Sequence, residues 1–127
     1  MPMLSVCNYA VVRVVPRVER GEFLNAGVIL FCRERRFLGA RVELNEHRLA
    51  ALADGLALAP IRQHLALIPR ICCGGKEGGP IGKLSLSERF HWLVAPRSTI
   101  VQTSPVHCCL CTDSEAMLEH LLVAMVR

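Results

Sequence analysis

The run from Tyr9 to Phe31 constrains the fold most, because two apolar stretches there flank a charge-dense connector that Pro16, Gly21 and Gly27 punctuate. Asn8 to Val15 is rich in β-branched residues and stops at Pro16, which lacks the N–H that a central ladder needs. Along this expected strand Tyr9, Val11, Arg13 and Val15 share one face, and Ala10, Val12 and Val14 share the other. Arg13 is therefore a charge in an otherwise apolar row. Ala26 to Cys32 is apolar on both faces, as an interior strand is, and Arg33-Glu34-Arg35-Arg36 reads as a hairpin loop into a third strand, Phe37 to Val42.

From Asn45 the period changes to helical. Leu49, Leu52 and Ala53 recur after an Asn45 cap, with Asp54-Gly55 as the stop. A second helix has Pro60 in its first turn and a buried stripe of Ile61, Leu65, Ile68 and Ile71, with Pro69 expected to kink or end it. The segment Gly74 to Gly82 is too rich in glycine to hold regular structure without outside contacts and reads as a flexible lid or linker. Ser85-Leu-Ser-Glu88 is a capping box for a short helix through Trp92, and Ser98 to Thr103 alternates as a fourth strand. Thr112-Asp-Ser-Glu115 is a second capping signature, opening a helix with Met117, Leu118, Leu121, Leu122 and Met125 on the face that covers the sheet. The expected fold class is α+β: a small antiparallel sheet of about four strands packed against three to four helices, in a single domain spanning 1–127.

A chain of 127 residues buries roughly two-thirds of its unfolded surface, enough for one core. Hydrophobic residues make up 52% of it, and with nine glycines added the apolar share exceeds the roughly 45–50% of ordinary domains. The surplus implies apolar surface covered by a protein partner or by a second copy in a homo-oligomer. The longest apolar runs, Ala26 to Cys32 and Leu121 to Val126, are far short of the ~20 residues of a membrane helix, so no membrane role is expected. Absence of a basic leader and of a cleavage site, together with seven cysteines, an odd number, points to reduced thiols and a cytoplasmic location. Net charge is +4, and the first fifty residues hold eight Arg against five acids.

Several chemistries are argued down by spacing. Gly82-Lys83 resembles the end of a phosphate-binding loop, but Glu77 stands where the first Gly belongs and Leu84 where Ser or Thr belongs. His107 with Cys108, Cys109 and Cys111, and Cys72-Cys73 elsewhere, are soft ligands without the usual gaps of two or more residues, so no metal site and no cofactor are expected. Ser98, His107 and Asp113 supply the residue types of a hydrolase triad, yet no Gly-x-Ser-x-Gly elbow marks the serine, and no catalytic residue is assigned. His47, His64 and His120 read as solvated or hydrogen-bonded histidines.

What remains is a polar set around the first connector, Arg13, Arg17, Arg20, Glu22 and Asn25, joined by Arg97, Ser98 and His107. On one reading Asn25 and Glu22 satisfy turn backbone groups, Gly21 and Gly27 serve φ > 0 or close strand approach, and Arg13 pairs with a neighbouring acid. On the other, the set is a binding surface, since a guanidinium fork suits anionic or peptide ligands.

Val-Arg13-Val-Val-Pro16, Arg20-Gly-Glu-Phe-Leu-Asn25-Ala-Gly-Val, Glu88-Arg-Phe-His-Trp-Leu-Val-Ala-Pro-Arg97-Ser-Thr and Ser104-Pro-Val-His107 resemble the bacterial family called domain of unknown function 3037, over nearly the whole chain. The resemblance implies a small stand-alone protein without an established activity. It further implies a gene neighbour that is a HipA-like serine/threonine kinase, and hence an accessory or antitoxin-like partner role. Where the family pattern carries Thr-Gly after the His, this chain has Cys108-Cys109. A non-catalytic protein-interaction module is the expected function. The competing expectation is a phosphate- or nucleic-acid-binding protein, or a small hydrolase, using the Arg residues and His107, although six aromatics in all leave few stacking platforms.

Overall fold

The computed structural model describes residues 3–127. Strand β1, Ser5–Val14, pairs antiparallel with β2, Leu24–Cys32, which pairs in turn with β3, Phe37–Val42. The hairpin at Arg33 to Arg36 and the span of β3 are where the residue pattern puts them. The other edge of β1 is divided. Its first half, Ser5 to Tyr9, pairs with β5, His107–Cys111, and its last three residues pair with β4, Val101–Thr103. The fold is thus α+β on a five-stranded antiparallel sheet.

Ser104 makes the division possible. Val11 lies opposite the break between β4 and β5, donates its N–H to the Ser104 hydroxyl at 2.8 Å and accepts the Ser104 N–H at 2.8 Å. The serine, only 3% exposed, thereby closes a gap that would otherwise leave two buried backbone groups unpaired. Pro105 follows it, and the chain swings out into β5. The expected strand at Ser98 to Thr103 is accordingly trimmed to β4, while β5 was not anticipated, because His107-Cys-Cys-Leu-Cys111 shows no clear alternation of polar and apolar residues.

A bulge re-aims β2. Val12 faces Gly27 but Arg13 faces Asn25, leaving Ala26 as the extra residue. The Ala26 carbonyl accepts the N–H of Glu43 at 2.7 Å. Gly27 is required by close approach rather than by its dihedral, since a Cβ there would lie 2.7 Å from the Arg41 carbonyl oxygen.

Helices cover both faces of the sheet. Helix α1, Glu46–Leu52, starts at Asn45, whose side chain accepts the Arg48 N–H as expected. Helix α2, Leu58–Cys73, and helix α3, Leu86–Val94, lie on the face of Val12, Val14, Ile29 and Phe31, burying Ile61, Leu65, Ile68, Phe90 and Leu93 there. Helix α4, Ser114–Met125, covers the opposite face, where Leu118, Leu121 and Leu122 meet Val11, Val28 and Leu30. Its cap is Asp113 rather than Thr112, with the carboxylate accepting the Ala116 N–H. The capping box of Ser85 and Glu88 is formed, and its hydrogen bonds hold the Glu88 carboxyl below its ordinary value. Among the described residues, no helix is long and apolar enough to cross a membrane.

Around one buried side chain Pro69 does not end its helix, and the glycine-rich segment is held in turns by contacts from outside it. Helix α2 runs through Pro69 for another turn, and the glycine-rich segment is folded into 3-10 turns over Lys76–Lys83, packed on α2, with Gly78 and Gly82 buried. Arg89 of α3, only 8% exposed, donates to the carbonyls of Ile71 at 2.9 Å and Cys72 at 2.7 Å, and to Leu84 at 3.1 Å. The Ile71 and Cys72 carbonyls belong to the last turn of α2, where a cation also meets the negative end of the helix dipole. The segment needs glycine because a Cβ at Gly82 would lie 2.3 Å from the Gly75 oxygen. Arg89→Leu, which keeps bulk but strands these acceptors, is expected to lower the unfolding free energy by about 2–4 kcal/mol in denaturant titrations. A loss below about 0.5 kcal/mol would show that the arginine does not close this segment.

Candidate functional site

The connector between β1 and β2 folds into a 3-10 turn, Val18–Arg20, closed by Gly21 at φ 70°, where its N–H bonds the Val18 carbonyl. Glycine suits that left-handed position. Arg20 and Glu22, two residues apart on the exposed turn, form an ion pair. The pair holds the Arg20 guanidinium above its ordinary range, through its hydrogen bond to Glu22 first. As a surface pair it adds little stability, but it fixes the two side chains at the mouth of a cleft of about 210 Å³. Pro16 and Arg17 line that cleft too, and the end of α1 closes it with Leu52, Ala53 and Asp54. Arg17, Arg20 and Glu22 are thus brought together, opposite a carboxylate that the residue pattern did not associate with them.

Arg13 and Asn25 are register partners on the face that α4 covers, and they serve different ends. Asn25 donates from Nδ2 to the Met125 carbonyl at 2.9 Å, tying the carboxyl end of α4 to the bulge, while its Oδ1 is buried without a partner. The Arg13 guanidinium lies over the Phe23 ring, 4.0 Å from the centroid, and its Nε is buried without a hydrogen bond. No acid pairs with Arg13 among the described residues, so the expected ion pair is replaced by a cation–π contact. Phe23 is 44% exposed and Val18 45%. Both belong to the site and neither was singled out in the sequence, although an apolar residue inside a charged connector is a usable signal.

The remaining candidates lie elsewhere. Arg97 turns back on α3, donating to the carbonyls of Leu93 and Trp92 and stacking 4.3 Å from the Trp92 ring centroid. It is a helix-terminus cation. Burial first, and the nearby Arg97 charge second, hold the half-buried His64 imidazole below its ordinary 6.5, so it is neutral near pH 7. Ser98 is exposed in the loop after α3. His107 opens β5 opposite Tyr9, their ring centroids 5.4 Å apart. No hydrogen bond or ion pair among the described residues joins Arg97, Ser98 or His107 to the connector. Asp113, the acid of the triad types, is occupied in capping α4.

The cysteines separate by face. Cys72 is buried among aliphatic side chains under α2, where burial pushes its thiol up to about 12, and Cys73 and Cys108 are exposed. Cys7, Cys32 and Cys111 converge beneath α4 with their sulfur atoms within 4.8 Å of one another. This grouping joins residues from β1, β2 and β5 and depends on a strand that the pattern did not reveal.

Fold and site together define an α+β fold with a charged, aromatic-bearing hairpin connector. The chain belongs to the family described as Protein of unknown function (DUF3037), whose model matches residues 9–126. Neither a curated protein nor a solved structure matches it.

Asn25→Ala should cost about 1–2 kcal/mol in thermal or chemical unfolding, because the Met125 carbonyl loses its donor at a part-buried position. Stability within about 0.5 kcal/mol of the parent would instead leave Asn25 free for a surface role.

Proposed function

We propose that this chain is a non-catalytic, cytoplasmic protein-interaction module that docks through its Arg13 to Asn25 connector. The observation that carries this reading is Phe23, 44% exposed and held by the Arg13 guanidinium at 4.0 Å. Aromatic and arginine side chains are enriched at protein interfaces, where a few large anchors carry most of the binding energy. Here the contact pre-orders both before any partner arrives, which reduces what must be ordered on binding. Val18 extends the apolar part, and Arg17 with the Arg20–Glu22 pair forms a polar rim.

The cleft beside the turn supports docking over small-molecule binding. At about 210 Å³ it is below the roughly 300–1,000 Å³ of ligand pockets, and charge lines it where apolar side chains usually do. The partner that the family resemblance implies is a HipA-like serine/threonine kinase, with this chain as its accessory.

Co-expression with the neighbouring kinase tests the reading. Phe23→Ser should weaken capture at least about tenfold, as loss of a single anchor does, and Arg20→Ala or Glu22→Ala should weaken it to a smaller degree. Melting temperatures should stay within about 2 °C of the parent, because all three side chains are exposed. Undiminished capture by all three variants would remove the connector as the contact surface.

A further inference from the structure

Three of the seven cysteines meet on the α4 face of the sheet, brought from three strands, and a fourth, Cys109, stands beside them. Cys7 and Cys32 are fully buried and Cys111 is 3% exposed. Their sulfur atoms all lie within 4.8 Å of one another, with Cys7 and Cys111 at 2.7 Å. Cys109 stands directly opposite Cys7 in the ladder and two residues from Cys111, so strand alternation turns both β5 thiols to the same face. Cys109 packs against the same buried cluster. Cys109 is also half-buried, which leaves the group one exit toward solvent.

We propose that Cys7, Cys32, Cys109 and Cys111 form a structural site for a thiophilic divalent cation of the zinc class. A tetrahedral ion with metal–sulfur bonds of ~2.3 Å sets its ligand sulfurs ~3.8 Å apart, inside the 4.8 Å span of the Cys7, Cys32 and Cys111 sulfurs, and Cys109 would supply the fourth from its ladder position opposite Cys7. Loading opens the Cys7 and Cys111 contact by about 1 Å, a side-chain adjustment on strands already fixed by the ladder. Each thiol releases its proton to solvent and binds as thiolate.

The surroundings fit a ligand set better than a packing role. Cys72 shows what a lone buried cysteine looks like in this chain, set among Ile and Leu side chains. The cluster instead puts three thiols against one another, with Cys109 beside them opposite Cys7 in the ladder. The buried Ser114 hydroxyl lies 3.9 Å from the Cys111 sulfur at the amino end of α4, in reach to hydrogen-bond a metal-bound thiolate there. A disulfide would use two sulfurs and leave the other two unexplained. Spacing alone concealed the site, because only the strand geometry of β5 shows that Cys109 and Cys111 share a face, and their companions Cys7 and Cys32 come from β1 and β2.

Metal content of untagged protein, expressed with added zinc and purified without chelator, tests the proposal. About one zinc per chain is expected, and replacement by Co²⁺ should give a thiolate-to-metal charge-transfer absorption. Cys7→Ser and Cys111→Ser should abolish stoichiometric zinc, whereas Cys73→Ser and Cys108→Ser, at exposed thiols, should retain it. Should the first two variants fail to fold, the parent chain decides: a strong chelator should lower its melting temperature, and added zinc should restore it. Folded parent protein that holds below about one-tenth of an equivalent and takes up no zinc would overturn the site. A folded parent lighter by two hydrogens, its Cys7 and Cys111 joined as a disulfide, would overturn it equally.

Discussion

Both edges of β1 are occupied, and the rest of the molecule depends on how the outer edge is shared. One side pairs with β2 from Asn8 to Val14. The other is split between β5 and β4, with the buried Ser104 bonding both backbone groups of Val11 at the break. Without that bridge Val11 would carry an unmet donor and acceptor in the interior, and the two short strands would have no common register. The same strand supplies Val12 and Val14 to the core under α2 and α3, and Cys7 and Val11 to the core under α4. It also launches the connector and positions Cys7 against β5.

Arginine is abundant here, yet much of it is engaged by other groups of the chain. Arg89 caps the end of α2 and orders the glycine-rich segment, and Arg97 caps α3 against Trp92. Arg41 and Arg127 tie β3 and the carboxyl end to Glu115, Glu119 and Glu43 around α4, and Arg62 pairs with Glu46 across α1 and α2. Net positive charge therefore overstates how much guanidinium is offered to a partner. On the connector, Arg17 is exposed and Arg13 presents its charge on an aromatic face. That is a restricted charged surface rather than a diffuse one.

Local signals in the residues carried over well where a single physical cause set the structure. Pro16 ended a strand, Arg33 to Arg36 made a hairpin, Asn45 and Ser85 capped helices, and the Ile61, Leu65, Ile68 stripe was buried. Long-range causes were not legible. Nothing in the segment around Pro69 and Gly74 announces that Arg89, many residues later, will satisfy its carbonyls. The bulge at Ala26 puts Asn25 beneath α4, turning a candidate ligand contact into a tie to Met125. Ser104-Pro-Val-His107 was visible as a family string, but its role as the bridge between two strands emerges only from what stands opposite Val11. The cysteine grouping was hidden for the same reason, since Cys7 and Cys111 are 104 residues apart.

The Val11 amide is the most direct probe of this arrangement. Hydrogen exchange followed residue by residue should find it protected to the same degree as the ladder amides of Val12 and Val14 in the parent chain, and released by Ser104→Ala to exchange faster than they do. Rapid exchange at Val11 in the parent, beside protected neighbours, would contradict the bridge on which the shared edge of β1 rests.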